Sequence, residues 1–205
     1  MAPDRSGPGD GPGREPAVRF LRPGGAACYA PAVRIAALAA GLLLAASSGP
    51  PVCPPGTTPA GEPPPGGLEA WCERPDASGA QQRHGPSRAW YDTGGLHSEA
   101  TWRDGRLDGP YVEYYRGGVR ARRGEYRGGE QQGLWTYWFE DGTREEEVEF
   151  DRGLRHGRFA SWYPGGRRRA EGRFCHGIQC GRWTSWGEDG AELGSVVLEE
   201  IQGNP

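Results

Sequence analysis

Between residues 85 and 198 the large apolar side chains recur on a period longer than any helix or single strand. Gly85, Gly109, Gly133, Gly157 and Gly181 follow one another at intervals of 24 residues, with no insertion or deletion. Counted from that glycine, position 10 is also glycine (Gly94, Gly118, Gly142, Gly166, Gly190), and so is position 21 (Gly105, Gly129, Gly153, Gly177). The rings keep equally fixed places. Position 3 holds Tyr111, Trp135, Phe159 and Trp183, and position 6 holds Trp90, Tyr114, Trp138, Trp162 and Trp186. Position 7 holds Tyr91, Tyr115, Phe139 and Tyr163, and position 18 holds Trp102, Tyr126, Phe150 and Phe174. Of 18 aromatic residues from residue 85 onward only Tyr137 lies outside these columns, so the rings belong to the architecture.

Between the glycines lie short runs such as Pro110 to Arg116 (PYVEYYR) and Val119 to Arg127 (VRARRGEYR), rich in aromatic and β-branched residues. Runs of this kind, bounded by glycine turns, predict the two strands of a hairpin in every unit. One unit cannot offset the entropy of ordering its own backbone, so neighbouring hairpins must share their burial. The expected fold is all-β: an elongated single-sheet array of stacked antiparallel β-hairpins.

The pattern G-x-W-x-x-W-Y-x-x-G, then seven residues, an aromatic, two residues, Gly, three residues and the next Gly resembles the MORN-repeat variant across residues 84 to 198. Bacterial proteins of this kind resemble the YwqK-type family, often grouped with antitoxins. The resemblance implies a single-sheet β array without a catalytic site. It also makes an antitoxin or immunity role, neutralising a cognate toxin, one of the readings to weigh.

Ahead of the array, Ile35 to Ala46 (IAALAAGLLLAA) form a 12-residue apolar run behind Arg34, followed by Ser47, Ser48 and Gly49. This is the pattern of a signal peptide, and it falls short of the roughly 20 apolar residues a membrane-spanning helix needs. No permanent transmembrane anchor is expected, and translation is expected to begin near Val33, because the 32 residues before it are too long for the charged segment of a typical leader. Pro50, Pro51 and Val52 before Cys53 do not fit a lipobox. The chain thus divides into a leader (1–49), a Pro/Gly-rich, Cys-containing N-terminal cap (50–83), the array (84–198: four full units and a partial fifth) and a tail (199–205). Leader removal takes Cys28 and leaves Cys53, Cys72, Cys175 and Cys180, an even number in a chain bound for an oxidising compartment. Three pairings are open, and closeness in sequence favours Cys53 with Cys72 and Cys175 with Cys180. The expected location is exported: periplasmic, cell-surface or secreted.

Composition narrows the function. Hydrophobic residues are only 35% of the chain while Gly (36) and Pro (19) are in excess, so any core is thin and built from rings. A net charge of −3 does not suit a nucleic-acid binder. All 24 basic residues are Arg, which excludes a P-loop lysine and a Schiff-base lysine. No nucleophile, base and orienting acid stand at recognisable spacing, so no enzyme, cofactor or metal is expected. Cys175, His176 and Cys180 lack a fourth ligand at zinc spacing, and His84 and His156, each just before a unit glycine, read as turn residues.

Two features remain as a candidate binding surface. Position 12 holds Arg120, Arg144 and Arg168, which stacked strands would align, with Glu99, Glu147 and Glu171 at position 15 expected on the opposite face. Positions 6 and 7 are both aromatic, yet adjacent strand residues face opposite ways. Either position 7 joins position 3 in the core and Trp90, Tyr114, Trp138, Trp162 and Trp186 form a row on the other face, or the reverse. Positions 19 and 24 pair complementary residues across the turn between units: Arg103 with Asp108, Arg127 with Gln132, Asp151 with His156, Cys175 with Cys180. The expected function is an exported, non-catalytic scaffold that binds a protein partner. A binder of cell-wall or other envelope glycan using the aromatic row is the alternative beside the immunity reading.

Overall fold

A computed structural model describes residues 49–199. The apolar run Ile35–Ala46, the rest of the expected leader to residue 48, and tail residues 200–205 lie outside the described residues. Those described form twelve strands: β1 (Thr58–Glu62), β2 (Glu69–Pro75), β3 (Gln81–Trp90), β4 (Leu96–Arg103), β5 (Arg106–Tyr114), β6 (Arg120–Arg127), β7 (Glu130–Trp138), β8 (Arg144–Asp151), β9 (Leu154–Trp162), β10 (Arg168–Cys175), β11 (Ile178–Trp186) and β12 (Glu192–Leu198). Each pairs antiparallel with the next in chain order, giving one open sheet of stacked hairpins. The segment 50–83 contributes β1, β2 and the start of β3, and a disulfide ties Cys53 to Cys72 on β2. No helix among the described residues is long and apolar enough to cross a membrane.

Two kinds of turn alternate along the array, and the glycine columns supply both. Within a unit, the chain bends as at Tyr91–Gly95, where the Gly94 N–H donates to the Tyr91 carbonyl and the Tyr91 N–H to that of Gly95. Between units the link is a two-residue turn: Asp104–Gly105, Gly128–Gly129, Arg152–Gly153 and His176–Gly177 all have positive φ at both residues. That conformation matches the right-handed twist of the flanking strands. It is unfavourable for a side chain at the first position, and the array compensates with a hydrogen bond. The backbone N–H of Asp104, Arg152 and His176 is received by His84 Nδ1, Gln132 Oε1 and His156 Nδ1, each 20 residues earlier. The exception is Gly128, which bears no such strain, and there Asp108 turns back to Arg103 at 3.6 Å.

This corrects part of the expected pairing of positions 19 and 24. Arg103 does meet Asp108, and Cys175 is bonded to Cys180. Gln132, however, donates to Asp151 of the following unit at 3.2 Å, and His156 accepts from the His176 N–H.

Strand alternation is interrupted by one residue within each hairpin, and the register shifts again, by two residues, where one unit pairs with the next, as between Arg123 and Glu125. Trp138 faces Arg144 while Tyr137 faces Glu146, leaving Glu145 as an extra residue, and the same shift recurs at Tyr114, Trp162 and Trp186. This bulge decides which face each column occupies. Positions 3, 5, 14, 16 and 18 share one face, the core face; positions 2, 4, 6, 12, 15 and 17 share the other. Position 7 belongs to neither interior. It sits at the turn, and the hydroxyls of Tyr91, Tyr115 and Tyr163 donate to the carbonyls of Tyr114, Trp138 and Trp186 in the next unit.

On the core face the rings bury one another. Tyr111, Tyr126 and Trp135 form a triad with centroids 5.0 to 6.0 Å apart, and Phe159, Phe174 and Trp183 repeat it with centroids 5.1 to 5.4 Å apart. Edge-to-face contacts dominate both, as the ring quadrupoles favour. Trp135 is fully buried because it lies across Gly124, where a Cβ would overlap its indole, and Trp183 lies across Gly172 in the same way. Each indole N–H finds a backbone carbonyl where the ladder is interrupted, that of Glu125 at 3.2 Å and that of Arg173 at 3.0 Å. In the intervening units a larger residue at position 16 faces a smaller ring: Ala100 opposite Tyr111, and fully buried Val148 opposite Phe159. The packing therefore repeats every two units, although the sequence repeats every one.

Candidate functional site

The face opposite the core leaves most of its side chains partly exposed. Its central row is position 6. Trp90 is buried at the N-terminal end, where Pro51 lies near Arg88 and Glu99 and the Arg88 guanidinium donates to the Gly49 carbonyl. Tyr114, Trp138, Trp162 and Trp186 are only half-buried. The Tyr114 hydroxyl donates to Glu99 at 3.0 Å; burial first and that carboxylate second push its pKa up, with Arg120 across the strand opposing.

The position-12 arginines lie on this face with the aromatic row. The guanidiniums of Arg144 and Arg168 both stand over the Trp162 ring, at 5.4 and 5.3 Å. They also pair with Glu147 (2.9 Å) and Glu171 (2.7 Å). Those glutamates were expected on the other face; the bulged residue at position 13 removes one step of alternation and brings positions 12 and 15 to the same side. Arg120 is exposed beside Tyr114.

Below this row runs a depression of about 540 Å³ that the sequence columns did not disclose. Its floor is Ala160 and Thr184, one side carries Glu147, Glu171 and Arg168, and the other carries Arg158, Arg173 and Arg182 together with Glu149, whose carboxylate accepts from the Arg158 backbone N–H at 2.7 Å. Arg158 on β9 lies directly opposite Arg173 on β10. Earlier hairpins place Pro110 opposite Glu125 and Leu134 opposite Glu149 at the same two positions. Among the described residues no carboxylate pairs with any of these three guanidiniums; Arg182 donates only to the Ser195 hydroxyl, at 3.2 Å. The signal available in the sequence was the change at position 2 from Pro86, Pro110 and Leu134 to Arg158 and Arg182. Without the register, nothing linked that change to position 17.

Charged groups on the core face act as lids on the rings. Glu113 accepts from the Tyr111 hydroxyl (2.7 Å) and from Arg122 (2.6 Å), whose guanidinium lies over the Tyr111 ring. Burial pushes the Glu113 carboxyl up, but the two hydrogen bonds outweigh it and hold the group below the usual carboxylate range. Burial, and next the Glu113 carboxylate, push the Tyr111 phenol up to about 12. Glu146 is raised by burial and partly rescued by Arg155, at 2.9 Å. Each of these groups is committed to a neighbour. Cys175 and Cys180 are bonded to one another, so neither offers a thiolate to a metal beside His176. No group of His, Cys, Asp and Glu among the described residues could hold a metal ion.

The MORN repeat variant matches residues 131–152, which are β7 without its first residue, the following turn, β8 and Arg152 of the next turn. Repeats of that kind are generally binding motifs for proteins or membranes and not catalytic centres. No curated protein matches the chain.

Proposed function

We propose that this chain is an exported, non-catalytic repeat scaffold that binds a protein partner through the face opposite its core. The observation that carries the reading is a division of labour among rings. Those at positions 3 and 18 bury each other, while Tyr114, Trp138, Trp162 and Trp186 remain half-exposed in one row flanked by Arg120, Arg144 and Arg168. Half-exposed Trp and Tyr beside Arg are the side chains enriched at protein interfaces. Export is supported by the apolar run behind Arg34 and by two disulfides, which persist in oxidising compartments. In this reading residues 1–49 are the leader, 50–83 cap the array (84–198), and 199–205 are a tail.

An immunity role follows only from the likeness to the YwqK-type family, and it requires the same face to hold a cognate toxin. A glycan-binding role draws on the same tryptophans. The test is capture of envelope proteins from the native host on the oxidised full chain, compared with its W138A/W162A variant and identified by mass spectrometry. The scaffold reading expects one protein held by the parent chain and lost by the variant. A captured protein that the variant holds equally well refutes it; retention on isolated envelope polymer, lost in W138A/W162A, replaces it with the glycan reading.

A further inference from the structure

Arg158 and Arg173 are like charges set directly opposite one another, as Arg103 and Arg106 are beside the turn between β4 and β5, but here the pair lines a depression. On this face Arg88 meets Glu99, Arg144 meets Glu147 and Arg168 meets Glu171. Like charges directly opposite one another on neighbouring strands destabilise a sheet, yet Arg158 and Arg173 are paired in register and, among the described residues, no carboxylate pairs with either guanidinium; Glu149, which lines the same depression, accepts instead from the Arg158 backbone N–H at 2.7 Å. Arg182 stands close by on β11, two residues along from Cys180, the residue paired with Arg173. All three line the same depression, and all three are exposed.

We infer that this depression is a docking groove for an extended acidic segment of the protein partner, with Arg158, Arg173 and Arg182 receiving carboxylates on alternate residues. The inference rests on the scaffold reading and names the chemistry of the partner. The alternation follows from the two walls. Neighbouring strands are about 4.8 Å apart, so the arginines stand on a wall that crosses β9, β10 and β11, and side chains on one side of an extended peptide repeat about every 6.6 Å. Long Arg stems bridge that difference. The facing wall carries Glu147 and Glu171, which would repel a polymer bearing charge along both edges. A peptide projects successive side chains to opposite sides, so acidic residues at every second position can all turn to the arginine side, where Glu149, the one carboxylate there, is occupied by the Arg158 backbone N–H. The small floor residues Ala160 and Thr184 leave room for its backbone, and exposed Leu134 offers an apolar contact at one end.

The test is fluorescence anisotropy on the oxidised full chain with three labelled probes. They are Thr-Asp-Thr-Glu-Thr-Asp-Thr, the isomeric peptide with its acids contiguous (Thr-Thr-Asp-Glu-Asp-Thr-Thr), and an oligogalacturonate hexamer. The alternating peptide is expected to bind several-fold tighter than the other two, and more weakly as salt rises. R158Q/R173Q should weaken it at least about tenfold while its melting temperature stays equal to or above that of the parent, because a like-charge pair has been removed. R106Q/R127Q, the same loss of charge elsewhere on the array, should change binding less than about twofold. Equal binding of both peptides, tighter binding of the galacturonate, or indifference to R158Q/R173Q overturns the inference. A partner protein captured by the parent, lost in W138A/W162A and kept by R158Q/R173Q overturns the groove alone and leaves the scaffold standing.

Discussion

Gly124 shows how much one residue can decide here. It is buried, and its missing side chain is the space that the Trp135 indole occupies. Gly124→Ala is therefore expected to destabilise the fold by about 1 to 3 kcal/mol through overpacking. The array itself indicates the remedy, since Ala100 at the equivalent position faces Tyr111. Gly124→Ala with Trp135→Tyr should recover part of the loss in urea unfolding; a double variant no better than the sum of the single changes would show that the two positions are not coupled. This size matching was hidden in the sequence. Column 16 holds Ala100, Gly124, Val148, Gly172 and Val196, which share no chemistry. Their common property is the volume left to a ring on the adjacent strand, and a volume shared across strands becomes visible only once the strands are paired.

Individual hairpins hold one another through ties that recur with the period. The tyrosine hydroxyl at position 7 is such a tie, reaching a backbone carbonyl of the next unit in three places. Phe139 occupies the column in the third unit and has no hydroxyl, so the Trp162 carbonyl goes without this donor. Phe139→Tyr should add the bond and raise stability by about 0.5 to 1.5 kcal/mol; an unchanged or lowered urea midpoint would mean that the ring geometry there differs from its neighbours. Tyrosine was legible as an architectural residue, because its spacing was fixed. Its placement was not: reading position 7 as a partner of position 3 in the core treated the strand as regular, whereas position 7 lies at the turn beyond the last regular pair. The same assumption sent the position-15 glutamates to the wrong face. One bulged residue per hairpin, at position 13, carries no common side chain that would mark it in the sequence (His97, Ala121, Glu145, Arg169 and Leu193).

At the scale of the whole array, a one-unit repeat in sequence coexists with a two-unit repeat in packing, and excision experiments can tell them apart. Removing residues 125–172 would bring Gly124 before Trp183 and restore a glycine-under-indole pair. Removing residues 125–148 would set Gly124 against Phe159 and leave a void, which costs about 24 cal/mol per Å³. The longer deletion is expected to keep a sharp unfolding transition and the shorter one to broaden or lose it; the opposite ranking would mean that stability follows unit count alone. The sequence by itself determined the architecture, because glycine turns and ring columns at a fixed period of 24 residues leave antiparallel hairpins as the arrangement in which each unit can share its burial with the next. It also carried the disulfide partners, since closeness along the chain favoured the pairs that the fold contains. Only the tertiary structure decided which face each column occupies, which arginines are neutralised, and that Arg158 and Arg173 stand opposed without a partner. These depend on cross-strand register and on a bulge, and register is set by how neighbouring strands pack together, not by the order of residues within either one.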